Sequence, residues 1–301
     1  MIETALYAHL MEQDRLLERH LASYNDKMAI FNQEVPGDTD PGWDEEESQY
    51  GRIVFAVDLS DDPERKYGGT LVVDVSCEKG EQDPDELEPI VRSLIDGYFF
   101  STEEITMAAQ WSASNYFTEP TEKVIGVTLT FGLLAFPKQT TIEPDPIALF
   151  NSWTHKELQN ALNMHIRVIG YDKLKPAWKP TNEIPAIYWR QSSIAPCGWI
   201  PDTYNCSWLT SVIHGHIMAP DKNVNAIITR SIENILTMKK RLIFEDMAPL
   251  MVDRNIRVNL GSDEMRTGQI TIDATYGLLR GPVISRPLSN TSIQERRSED
   301  D

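Results

Sequence analysis

The order helix, strand, strand, helix, strand, strand occurs twice in the 301 residues, and this repeat constrains the fold more than any other feature. The closing strands match best, Thr130-Phe131-Gly132-Leu133-Leu134 against Thr275-Tyr276-Gly277-Leu278-Leu279. The helices align Leu87 with Val224 and Ile90 with Ile227, and the first strands align Ile53 with Ile187 and Phe55 with Trp189. The separation between partners grows along the chain, as insertions in the loops of one fold would make it. Two copies make a fused pair of domains and not a solenoid, which needs more repeats to bury its faces. The expected fold class is therefore α+β: two tandem related domains, each a mostly antiparallel sheet with helices packed on one face. The expected boundaries are residues 1–140 and 150–283, a linker at 141–149, and a disordered, polar and charged tail over 284–301.

Local patterns supply the elements. Residues 2–24 read as one amphipathic helix, with Ile2, Leu6, Leu10, Leu17 and Leu21 near one stripe. An acidic loop rich in Pro and Gly follows, from Glu34 to Ser48. Arg52–Leu59 and Thr70–Cys77 are rich in β-branched residues and read as strands. Asp61-Asp62-Pro63 opens the turn between them, and Tyr67-Gly68-Gly69 closes it. After Pro84-Asp85, the positions Leu87, Ile90, Val91, Leu94 and Ile95 form a helical stripe that Gly97 ends. Ile105–Ser112 and Val124–Phe136 complete the first set of strands. In the second half the expected order is a helix over Phe150–Val168, a strand over Ala186–Arg190 and a longer one over Trp208–Met218. Asp221 then caps a helix carrying Val224, Ile227, Ile228, Ile232 and Ile235. An irregular strand broken at Pro249 and a last strand over Gln269–Leu279 follow.

Composition narrows the function classes. Asp and Glu number 46 against 28 Lys and Arg, for a net charge of -18. Such a surface repels phosphate and disfavours tight binding along a nucleic-acid backbone. No apolar run approaches the ~18 residues that cross a bilayer, so no membrane partner is expected. The amino terminus lacks the basic and apolar regions of a secretory signal. Three cysteines, Cys77, Cys197 and Cys206, make no disulfide framework and fit a reducing compartment.

No catalytic pattern stands out, and no cofactor or metal is expected. His214-Gly215-His216 is the sharpest chemical feature, since residues two apart on a strand share a face and two imidazoles could meet one metal. Cys197 and Cys206 stand at no zinc spacing relative to them. A metal-dependent enzyme using His214 and His216 is the alternative from another class. Gly68-Gly69 lacks the following Lys of a phosphate loop and fits a hairpin turn better. There is no nucleophile elbow around any Ser, Cys or Thr. The acids Asp61, Asp62 and Glu64 read as a solvated loop. Trp43, Trp153, Trp178, Trp189, Trp199 and Trp208 fall partly in loop-like stretches, where aromatics mark either interfaces or small cores.

The first half resembles the phage tail terminator family, whose members complete the tail and join it to the head. The resemblance is carried by the opening helix, Arg52-Ile53-Val54-Phe55, Tyr67-Gly68-Gly69-Thr70-Leu71-Val72-Val73-Asp74-Val75, the helix over Glu86–Asp96, and Val127-Thr128-Leu129-Thr130-Phe131. It covers about residues 1–137 and, through the repeat, 150–280. It implies a non-enzymatic virion protein, assembled in the host cytoplasm, that forms a hexameric ring on the tail tube and meets the neck or head connector protein while DNA passes through the lumen. Typical members carry one domain, so the second copy departs from the pattern. Another neck, connector or sheath-associated adaptor is a neighbouring reading. Within this expectation the loop bearing Asp61, Asp62, Glu64, Arg65, Lys66 and Tyr67 docks on the tube, and Asp44, Glu45, Glu46 and Glu47 line the lumen, where a like-charged wall keeps DNA from adhering.

Overall fold

The computed structural model describes residues 2–37, 39–43, 49–119, 124–139, 143–252 and 255–279. The expected lumen acids Asp44, Glu45, Glu46 and Glu47 and the expected tail at 284–301 lie outside them.

The chain forms two sheet-rich bodies. The first contains α1 (Ile2–Met11), α2 (Asp14–Leu17), β1 (Ser23–Tyr24), β2 (Lys27–Met28), β3 (Ile30–Asn32), β4 (Arg52–Asp62), β5 (Lys66–Glu78), α3 (Pro84–Ile95), β6 (Phe99–Ser101), β7 (Thr106–Glu119) and β8 (Val124–Ala135). The second contains α4 (Pro146–Trp153), a π-helical turn (Thr154–Leu158), α5 (Gln159–Leu162), β9 (Arg167–Val168), β10 (Ala177–Trp178), β11 (Ala186–Pro196), β12 (Cys206–Met218), α6 (Lys222–Lys239), β13 (Arg241–Ile243), β14 (Pro249–Met251), β15 (Ile256–Val258) and β16 (Ile270–Leu279).

Both main sheets are mixed. The first runs β10-β6-β7-β8-β5-β4-β3 and the second β13-β14-β16-β12-β11-β9, with β15 also on β16. Strands β3 and β9 are parallel to β4 and β11, and the remaining pairings are antiparallel. Apart from β10 and β15, the two strand orders correspond one for one. β10 comes from the second half of the chain, yet it pairs with β6 through Ala177–Phe100 and Trp178–Phe99.

Burial follows the repeat. Ile53 and Phe55 are buried, as are Ile187 and Trp189; Val127, Leu129 and Phe131 are buried, as are Ile272, Ala274 and Tyr276. Leu87, Val91, Leu94 and Ile95 of α3 join a core with Val73, Val75, Leu129 and Phe131. Ile228, Ile232 and Leu236 of α6 join another with Ile187, Ile213, Ile217 and Ile272. Each fully buried large apolar side chain contributes about 1.5–3 kcal/mol relative to exposure.

Several boundaries differ from the sequence reading. The opening helix stops at Met11, and α2 adds only one turn after a break. Asn25 and Asp26 both take positive φ, 50° and 59°, so Tyr24-Asn25-Asp26-Lys27 is a tight hairpin turn of the type Asn and Asp favour. The expected linker at 141–149 contains the start of α4, where Asp145 accepts hydrogen bonds from the Ile147 and Ala148 N–H groups and Pro146 takes the first turn. Gly68-Gly69 is not the hairpin turn. Both residues lie inside β5, and a Cβ on Gly69 would come within 2.1 Å of the Asp58 carbonyl oxygen. Pro249 opens β14 and does not break a strand.

Candidate functional site

The β4–β5 hairpin turns at Pro63-Glu64-Arg65 and drives its tip into the second body. Pro63 presets the turn, and the Asp62 carboxylate accepts from the Glu64 and Arg65 N–H groups, both at 2.9 Å. This aims Arg65 inward, and its side chain is fully buried.

There Arg65 Nη2 donates to the carbonyls of Met265 and Arg266 and lies 3.2 Å from each ring nitrogen of His216. Its guanidinium sits 4.9 Å from the Phe136 ring centroid and 5.2 Å from that of Tyr188. Nε and Nη1 find no hydrogen-bond acceptor among the described residues, and the faces of the two rings, one from each half of the chain, stand beside them. Burial, opposed by Tyr188 and reinforced by Arg190, pushes the Arg65 pKa down to about 10, so it stays charged at neutral pH.

Two ion pairs flank this cation. Glu64 meets Arg190 at 3.5 Å and Asp62 meets Arg266 at 3.3 Å. Burial raises the Asp62 pKa, but the N–H donors of Glu64 and Arg65 and the Arg266 charge outweigh it, and the net shift is downward. Around them Phe99, Ala108, Leu134, Phe136, Ile169, Ala186, Tyr188 and Met218 form a buried hydrophobic cluster drawn from both bodies. Lys179 adds a 2.6 Å hydrogen bond to the Asp96 carbonyl, at the end of α3. The seam therefore holds one buried cation among apolar side chains at its centre and ion pairs at its rim.

The two histidines are split by this arrangement. His216 is fully buried, and its Nδ1 lies 2.9 Å from the Glu264 carbonyl. Nδ1 therefore donates, and Nε2 is left to accept from Arg65. Burial, then the Arg65 charge, holds the His216 pKa well below its ordinary value. His214 contacts Ser192 and Thr271, and its pKa is lowered mainly by burial and then by Arg190. A permanent cation against one imidazole opposes a metal ion there. Among the described residues no group of three or more His, Cys, Asp or Glu could hold a metal.

Of the six residues expected to meet a tail tube, Arg65 is buried in the seam, and Asp62 and Glu64 bond across it. Asp61, Lys66 and Tyr67 line an open cavity of about 910 Å³ with Glu3, Leu59 and Glu103. The tryptophans also divide. Trp43, Trp153 and Trp189 are buried, Trp178 packs against Phe99 at the seam, and Trp199 and Trp111 are exposed.

The sequence reading missed the pairing of Arg65 with His216. The two residues are 151 positions apart, and no local period reports such a contact. The available signal was chemical: an Arg at a Pro turn, and two histidines on one face of a strand. No family model, curated protein or solved structure matches the chain.

Proposed function

We propose that the chain is a structural protein of a tailed-phage virion, a ring that caps the tail tube and meets the neck or head connector. In this reading its two bodies are duplicated copies of one α+β module, each a sheet with helices packed against one face. The observation that carries the reading is the shared strand order, β3-β4-β5-β8-β7-β6 and β9-β11-β12-β16-β14-β13. Shared order, shared buried positions and the matched closing strands support duplication more strongly than any one of them alone. Two such modules joined by a seam of buried apolar and ionic contacts suit assembly with further copies. A net charge of -18 suits a conduit wall past which DNA slides without adhering.

The test is to add purified protein to tails that lack their own terminator and to image the ends by negative stain. Rings at the tube end, together with restored head joining, are expected. Protein that binds connectors and never tube ends would favour the adaptor reading. Stoichiometric zinc in the purified protein, lost in a His214→Ala variant, would favour the metal-enzyme reading instead.

A further inference from the structure

One end of the second sheet carries an open apolar face with an acidic rim. Leu279, at the end of β16, is 75% exposed, and Ile243 and Met247 of the β13–β14 hairpin are 41% and 78% exposed. All three line one cavity of about 850 Å³ beside α4. Glu143, Asp145, Glu245 and Asp246 also line it, and Lys156 is the one cation among the lining residues. Met247 is held there by the backbone. It takes φ 68°, a conformation that suits Gly, Asn or Asp far better than a long side chain. Its N–H bonds to the Phe244 carbonyl, and the Ala248 N–H bonds to the Asp246 carboxylate. Methionine adds nothing to this turn, and it presents an adaptable apolar side chain to the cavity.

Charge and connectivity decide what can fill it. A further copy of a chain of net charge -18 meets an acidic rim with like charge. The residues that follow Leu279 do not. Arg280-Gly281-Pro282-Val283-Ile284-Ser285-Arg286-Pro287-Leu288 holds two arginines, no acid and three large aliphatic side chains. Gly277, Leu278 and Leu279 belong to the cavity wall, so Arg280 is bonded directly to that wall. Nine residues reach at most about 30 Å, which is ample for a cavity of this size. A segment tethered so closely meets the cavity at an effective concentration on the order of millimolar, far above that of a separate chain. Val283, Ile284 and Leu288 match the apolar floor, and burial there supplies most of the attraction. The two arginines match Glu143 and Glu245, exposed carboxylates that leave the Asp145 cap of α4 and the Asp246 turn undisturbed. Such exposed pairs contribute little energy and fix the orientation of the segment.

We infer that residues 280–288 seat in this cavity of their own chain, with aliphatic side chains on Leu279, Ile243 and Met247 and arginines toward the acidic rim. The segment then acts as a strap that covers the end of the second sheet. No tube, connector or ring enters the inference, so it stands or falls separately from the proposed function.

Hydrogen exchange of the full-length protein, read by mass spectrometry, tests this. The amides of Val283–Arg286 are expected to exchange at least about tenfold more slowly than in a synthetic peptide of residues 280–301, at every protein concentration. Met247→Asn keeps a residue that tolerates the turn and removes the apolar contact, and it is expected to speed their exchange by about threefold or more. The paired reversal Glu143→Lys with Glu245→Lys is expected to do the same, and adding Arg280→Glu with Arg286→Glu to it should restore part of the protection. Unchanged exchange over Ile228–Leu236 of α6 reports that each variant is folded, and Met247→Asn carries the test if the charge reversal is not. Wild-type amides that exchange at the peptide's rate overturn the inference. Protection that Met247→Asn leaves intact places the segment elsewhere and also overturns it. Protection that grows with protein concentration assigns the contact to another copy, with the same consequence.

Discussion

At the scale of single residues, Arg65 carries a charge into the protein interior with two main-chain carbonyls, one imidazole and two aromatic faces as its surroundings. Removing it loses charge-assisted hydrogen bonds, takes the donor from the Met265 and Arg266 carbonyls and from His216 Nε2, and opens a void. Arg65→Ala is therefore expected to lower the free energy of unfolding by about 2–4 kcal/mol in a urea titration, and to separate the unfolding of the two bodies into two transitions. A single transition within about 0.5 kcal/mol of wild type, the range of ordinary surface changes, would contradict this role.

His216 gives a second prediction at the same scale. Its pKa is depressed in the folded protein, so the unfolded chain takes up a proton first as pH falls through about 6.5. The unfolded state then binds more protons, and stability rises with pH across that range and is lost on acidification. The slope from this one group is at most about 1.4 kcal/mol per pH unit below pH 6.5. His214 and His9 are also lowered, mainly by burial, and add to the slope. His216→Gln should flatten the dependence between pH 6.5 and 5, measured as urea midpoints. An unchanged slope would show that His216 is not the group responsible.

At the scale of elements, the two hairpins solve one packing problem with different side chains. Phe55 faces Val73 in the first sheet, and Trp189 faces Gly215 in the second. A Cβ on Gly215 would meet the Trp189 ring at 2.6 Å, so the larger indole is accommodated by the missing side chain. Gly215→Val alone is expected to cost about 1–3 kcal/mol through overpacking, and Trp189→Phe alone also destabilises by leaving a void. The double variant recreates the pair of the first sheet and should cost less than the sum of the two by about 1–2 kcal/mol in a double-mutant cycle. Simple additivity would contradict the equivalence of the hairpins.

What could be read from the sequence follows the range of the interactions. α6 is capped by Asp221 as its pattern predicts, and β16 begins within a residue of its expected start, because periodicity and capping are local. The opening helix was overextended because leucines continue at helical spacing past Met11. There Leu17 and Leu21 are still buried, but a turn and a short strand carry the chain onward. β4 and β5 run longer than their apolar stretches, since Asp58–Asp62 are held by cross-strand bonds and not by burial. The His214–His216 pair was visible as a pair of imidazoles. Its meaning depended on Arg65, whose approach is set by tertiary structure alone.

At the scale of the whole molecule, the seam makes the two bodies one building block, with Arg65 at its centre and ion pairs at its rim. A heterologous contact between such blocks closes into a ring when its rotation divides a full turn and otherwise extends as a filament. Salt acts on the two parts of the contact differently: rim charges are screened within about 8–10 Å at physiological ionic strength, while the apolar centre is not weakened. Assembly should therefore persist in high salt, and loss of all assembly there would point to a contact made of charges alone.

The proposed ring requires that this chain assemble with copies of itself. The most direct measurement is the mass of the full-length particle in solution, by native mass spectrometry over a range of concentrations. A ring is expected to appear as a closed species of several chains, six for a hexamer, each contributing 34.2 kDa. A particle that remains at 34.2 kDa at every concentration, with or without tail tubes present, would contradict it.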